Sequence, residues 1–223
     1  MQPAESYLLA KLIVIVLVIY ATSLHELAHA YVATWCGDPT PGRYGRLTWN
    51  PIPHLSPFVS AVVLPIIFYL TSGMLFILAL TPIDPTRFRK PIRDHALVAA
   101  AGPLTNFLIV GLLLAVLRIP GVYGYFWDSN TKPWTAIVLP EACFWIYIMG
   151  FFNLLPLPPL DGYWIIRGLL PLSIRQQGDA LARSQFSFFI VLIIGSWLFQ
   201  YIALPVSHFY YMHLLPPLNV LDG

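Results

Sequence analysis

The sequence predicts an all-α polytopic membrane protein: a helical transmembrane bundle with a small membrane-associated β element at about 43–49 and 74–82. Three observations predict it. Hydrophobic residues make up 58% of the chain and charged residues 10%, where a soluble domain carries about 25%. The apolar residues come in blocks long enough to cross a hydrocarbon core of roughly 30 Å. Loops rich in Gly and Pro separate those blocks and hold most of the Lys and Arg. The 223 residues read as one integral-membrane domain, with the informative motifs between 20 and 170 and a last span and tail beyond them.

The first block covers 7–35, with Lys11 placed to snorkel to the interface and Gly37 to cap the helix. Gly and Pro fill the loop at 37–57, which carries a strand-like stretch at 43–49. A second block at 58–80 is interrupted by Thr71, Ser72 and Gly73. A helix over 58–70 reaches about 20 Å. An extended return over 74–82 reaches about 30 Å and can pair with 43–49. The block then enters and leaves on one side, which requires protein or a wet cavity around its backbone. The third block is 96–117 and the fourth is 135–155, ended by Pro156, Pro158 and Pro159. Residues 162–170 suit a short amphipathic helix, and 186–204 is the last span.

This path puts nine basic residues (Arg43, Arg46, Arg87, Arg89, Lys90, Arg93, Arg167, Arg175 and Arg183) on one side, against Lys11, Arg118 and Lys132 on the other. The positive-inside bias makes the richer side cytoplasmic. The sequence thus predicts a multi-pass protein of a prokaryotic cytoplasmic membrane, its N-terminus outside and no cleavable leader. Its basic residues are too sparse for nucleic acid, so the lipid bilayer is the expected environment. Cys36 and Cys143 lie far apart and read as buried free thiols.

Ionisable groups inside a membrane span are expensive, and one cluster stands out. His25, Glu26 and His29 form H-E-x-x-H within the first block. Two histidines four apart share a helix face and can both ligate a tetrahedral Zn²⁺, with Glu26 beside them as general base. A catalytic zinc needs a third protein ligand and an open position. Asp161, in NLLPLPPLDG at 153–162, can turn back toward the bundle as that ligand, or can cap the helix that follows. His54, His95 and Glu141 are further candidates; His54 suits an accessory or structural role, His95 an interfacial helix start, and Glu141 an interface. In AAAGPLTN at 99–106, small residues favour close helix approach, Pro103 frees a carbonyl, and Asn106 offers a polar amide for substrate or an oxyanion. Asn153 can act in the same way. A non-proteolytic membrane metal-binding protein or transporter would use the same ligands, but would not need Glu26 and should carry polar groups along several spans.

HELAH at 25–29, GPLTN at 102–106 and NLLPLPPLDG at 153–162 occur in that order on separate apolar blocks. Together they resemble the site-2 protease family of intramembrane zinc metalloproteases. The loop GDPTPGRYGRLTWNPIPH is similar to that of the family's compact branch, which lacks peptide-binding and nucleotide-sensing domains. The resemblance implies one zinc held by His25, His29 and Asp161, and Glu26 as the base. It implies an endopeptidase that cuts single-pass membrane protein substrates within or near their transmembrane segments, with its site toward the cytoplasmic side.

Overall fold

Helix α1 (Pro3–Trp35) has 33 residues. At 1.5 Å per residue it reaches about 50 Å, longer than a hydrocarbon core. The computed structural model describes residues 3–55, 79–119, 135–184 and 205–214, with the single positions Val63, Ile66, Val122, Ser187 and Tyr201. Helix α1 ends as expected at a glycine. Gly37 takes φ +111°, its N–H donates to the Thr34 carbonyl at 3.1 Å, and the Asp38 N–H reaches back to Ala33 at 2.9 Å. This is the paired bond pattern of a Schellman cap.

The expected β element is not supported: residues 43–49 form no strand, and among the described residues there is none. Pro39 and Pro41 instead start a helical turn, α2 (Thr40–Arg43). The Arg43 and Tyr44 N–H groups bond locally to the Pro39 and Thr40 carbonyls, and Gly45 turns the chain with φ +68°. Donors used in this way cannot build a ladder. A 3₁₀ turn, Ile52–His54, follows. Residues 74–78, the interrupted block at 58–80 and the last span at 186–204 lie outside the described residues, apart from the single positions and the end at Ala79 and Leu80. Residues 79–84 form neither helix nor strand.

Helix α3 (Pro91–Leu117) starts five residues before the expected block, with Pro at its first position. Asp94 closes that start, accepting the Lys90 N–H at 2.8 Å and the Arg93 guanidinium at 2.8 Å. Helix α4 (Thr135–Asn153) precedes the proline turn, in which the Pro158–Pro159 peptide is cis. Helix α5 (Asp161–Ile166) passes into a 3₁₀ turn, Arg167–Leu169, and α6 (Leu172–Arg183) follows.

Helices α1, α3 and α4 form the core through Val14, Val18 and Ala21, Val110 and Leu114, and Ala142, Cys143 and Ile146. Tyr210, in the turn Tyr210–Leu214, enters the same core and donates its hydroxyl to the Pro140 carbonyl at 2.8 Å. Both cysteines are buried and free. The outer face of α3 is apolar as well. Leu104, Leu108 and Leu112 are 59%, 66% and 68% exposed at four-residue spacing. A helix apolar on all sides and bare on one suits lipid rather than water. The helices Tyr7–Trp35 and Pro91–Leu117 are long and apolar enough to cross a membrane.

The two basic loops meet at one end of the bundle. The Asp38 carboxylate accepts the Asp84 N–H at 2.7 Å, and the Cys36 carbonyl accepts that of Arg89 at 3.2 Å. Helix α6 docks at this end. Arg167 grips Asp179 through two bonds, Nε to Oδ1 at 2.6 Å and Nη2 to Oδ2, and the Tyr163 hydroxyl donates to Oδ1 at 2.8 Å.

The bond from Arg167 holds the Asp179 carboxyl below its ordinary value. The folded form therefore binds that proton less readily than the unfolded chain does. Its contribution to α6 docking is full above the ordinary carboxylate range, near 3.9, and is lost as pH falls through the lower folded value. The protection of the 172–183 amides, taken relative to their intrinsic exchange rates at each pH, should fall on acidification in the parent protein. In Asp179→Asn that protection should already be low at neutral pH and change little with acid.

Candidate metal centre

His25 and His29 lie ten and six residues before the end of α1, about 15 and 9 Å below the polar end. Both are buried, as is Glu26 between them. One helical turn of separation brings their Nε2 atoms to 3.0 Å. Asp161 joins them from the far side of the proline turn, with Oδ2 3.3 Å from His25 Nε2 and Oδ1 3.5 Å from His29 Nε2. Leu160 occupies the N-cap position of α5 and Asp161 the first helical one. The capping alternative for Asp161 therefore gives way to a carboxylate aimed at the histidines.

The spacing fits a metal. Zn–N and Zn–O bonds of about 2.0–2.2 Å put the donors of a tetrahedral site roughly 3.3–3.5 Å apart. One atom from each of the three residues lies within 4.8 Å of the others, and no second such group occurs among the described residues. The donor set, two imidazoles and a carboxylate, is a zinc set. His29 Nδ1 lies 2.7 Å from the Val98 carbonyl, which can only accept. Nδ1 therefore carries the proton, and the Nε2 lone pair faces the cluster.

Two glycines make room for this arrangement. A Cβ on Gly102 would collide with Nε2 of both His25 and His29. A Cβ on Gly162 would collide with the Leu154 carbonyl at the end of α4. The glycine in AAAGPLTN thus does more than favour helix approach: it clears the space in which the imidazole nitrogens converge.

A cavity of about 170 Å³ opens over the cluster. That exceeds the roughly 30 Å³ one water occupies in the liquid. Glu26 and Asn153 line it, as do Thr81 and His95, whose roles the sequence did not disclose. His95 lies near the start of α3, as expected. It is buried, stacked on Trp164 with ring centroids 4.1 Å apart, and the Trp164 indole N–H donates to the Pro159 carbonyl at 3.2 Å. This stack braces the turn that delivers Asp161. Thr81 donates to Glu26 Oε2 at 2.6 Å. Its only signal in the sequence is a lone hydroxyl between Leu80 and Pro82 at the end of an apolar run.

The other candidates lie apart. Asn106 is one turn beyond Gly102, 1% exposed, outside the cavity lining, and its amide has no hydrogen-bond partner among the described residues. His54 is buried in its loop with Nε2 3.0 Å from the Thr48 carbonyl, and does not line the cavity. Glu141 sits in the second turn of α4, also outside the cavity lining.

Fold and site together define a helical protein in which two histidines and a carboxylate are grouped as metal ligands could be. Comparison with known proteins agrees. The chain is 34% identical over 188 residues, 81% of its length, to "Putative zinc metalloprotease YwhC" of Bacillus subtilis, and covers 79% of that protein. A relative of the same description, Rip2 of Mycolicibacterium smegmatis, is 29% identical over 87% of the chain and 73% of its own length. Rip2 of Mycobacterium tuberculosis is 32% identical over 63% of the chain and half of its own length. No family model and no solved structure matches. The chain belongs to the site-2 protease family, and its relatives' names support a zinc metalloprotease role.

Gly102→Ala should lose most of its bound zinc, measured by metal analysis of the purified protein. The helix itself should survive, because Ala favours a helix over Gly by about 1 kcal/mol.

Proposed function

We propose that this chain is an intramembrane zinc endopeptidase that hydrolyses peptide bonds within or near the transmembrane segments of single-pass membrane proteins, in regulated intramembrane proteolysis. The observation that carries the proposal is the cavity shared by a candidate base, Glu26, and the convergent donors of His25, His29 and Asp161. The bare leucine stripe of α3 supports a bilayer location. The gathering of the basic loops at the end nearest the site supports a site toward the cytoplasmic face of a multi-pass protein.

His25 Nε2, His29 Nε2 and Asp161 would hold one zinc ion, which would supply Lewis acidity to the attacking water and the scissile carbonyl. Glu26 takes the water's proton on its carboxylate and returns it to the leaving amine. Thr81 occupies Oε2, so Oε1 is the oxygen left for that proton. The Asn153 amide lines the cavity and can donate to the developing oxyanion. The Asn106 amide lies deeper on the same side of α3, where it can hold substrate backbone that reaches past Gly102.

Glu26→Gln, purified with zinc and assayed on a cleavable transmembrane peptide, should lose about 10²–10⁴-fold in rate while keeping its metal. Cleavage at the parent rate would overturn the mechanism. His25→Ala should lose zinc and activity together, and full zinc occupancy in that variant would remove His25 from the ligand set.

A further inference from the structure

Glu26 has one hydrogen-bond partner for its carboxylate among the described residues, the Thr81 hydroxyl. The same hydroxyl lies 3.0 Å from the Glu26 backbone carbonyl. A single proton cannot serve both fully. The 2.6 Å contact is in the range of a charge-assisted O–H···O⁻ bond and is the stronger. Glu26 projects about 100° round the helix from His25, so its long side chain must be held to reach the water beside the cluster. A free Glu side chain has rotamer entropy to lose on being fixed.

Thr81 is itself anchored. It sits in the irregular stretch 79–84, before Pro82. Three residues on, the Asp84 N–H donates to Asp38 Oδ2 at 2.7 Å. Asp38 is fully buried, and its other oxygen accepts the Thr40 N–H at 2.9 Å. Its own N–H is bound to Ala33 in the last turn of α1. The helix that carries Glu26 thus also carries, at its capped end, the carboxylate that fastens the strap bearing Thr81.

We propose that Thr81 is the positioning residue of the base, holding Oε2 of Glu26 so that Oε1 meets the water, and that Asp38 sets Thr81 in place. The proposal rests on Glu26 being the base, and its test separates the two. Thr81→Val keeps shape and removes the hydroxyl; Thr81→Ser keeps the hydroxyl. Thr81→Val should lower kcat about 10- to 100-fold with KM and zinc content unchanged, the scale expected from a misplaced catalytic group. Thr81→Ser should stay near the parent value. Asp38→Asn, which leaves one of the two N–H donors without an acceptor, should show a smaller fall in kcat with KM unchanged.

Binding of a peptide hydroxamate gives a readout without turnover. It should weaken about tenfold in Thr81→Val, and not further when that change is added to Glu26→Gln. If Val at position 81 prevents folding, Ser and Ala form a second pair that differs by the hydroxyl alone. Equal kcat within either folded pair overturns the proposal, as does additive loss of hydroxamate affinity. Parent-rate cleavage by Glu26→Gln would instead overturn the role of Glu26.

Discussion

Three polar side chains crowd within 3.0–3.5 Å of one another inside an apolar helix bundle, and the surrounding structure is shaped by that crowding. Desolvated imidazoles and a carboxylate are unfavourable company unless a cation or full hydrogen bonding compensates. Helix periodicity places His25 and His29 together without further help. The approach of α3 does not follow so simply. Val98 and Gly102 are four apart on that helix, as the histidines are on α1. One residue of the pair accepts the His29 N–H, and the other leaves out the Cβ that both imidazoles would meet. Two helical turns, each read at i and i+4, thus fit face to face.

Delivering Asp161 takes a different device. A chain leaving α4 must turn back within a few residues and bring a carboxylate to bear on α1. The prolines prevent α4 from continuing, and Gly162 lets the start of α5 lie against the Leu154 carbonyl. The His95–Trp164 stack then ties the turn to α3. Each of these contacts lies toward the polar end of the bundle, so the walls of the cavity and the entry side for water are built from the same elements. Leucines at the opposite face of α3 remain free to meet lipid.

Much of this was legible in the sequence. The H-E-x-x-H helix, its Gly37 cap and the proline stop after α4 follow from local rules, and all are present. Asp161 was ambiguous because a carboxylate at a helix start serves equally as cap or ligand; only the direction of its side chain, with Leu160 at the cap, decides. The strand expected at 43–49 failed because Pro39, Pro41 and Gly45 allow the backbone to satisfy itself in tight turns. Asn106 and Asn153 read as equals, yet only Asn153 lines the cavity. Thr81 and His95 could not be placed from local pattern, since their roles depend on contacts 55 residues away for Thr81 and on a stacked ring in α5 for His95.

The two histidines, alike in sequence, are unlike in their support. His29 has its tautomer fixed by the Val98 carbonyl, so its Nε2 lone pair is pre-aimed. His25 Nδ1 is buried and has no hydrogen-bond partner among the described residues. When His25 Nε2 ligates, the proton resides on that Nδ1, and a buried donor without an acceptor costs about 1–3 kcal/mol. In the proposed zinc site His29 is therefore the rigid ligand and His25 the weaker one. The weaker ligand is also the neighbour of Glu26 in sequence. Fixing Glu26 through Thr81 gives the proposed base a hold that does not depend on how firmly the His25 ring is set.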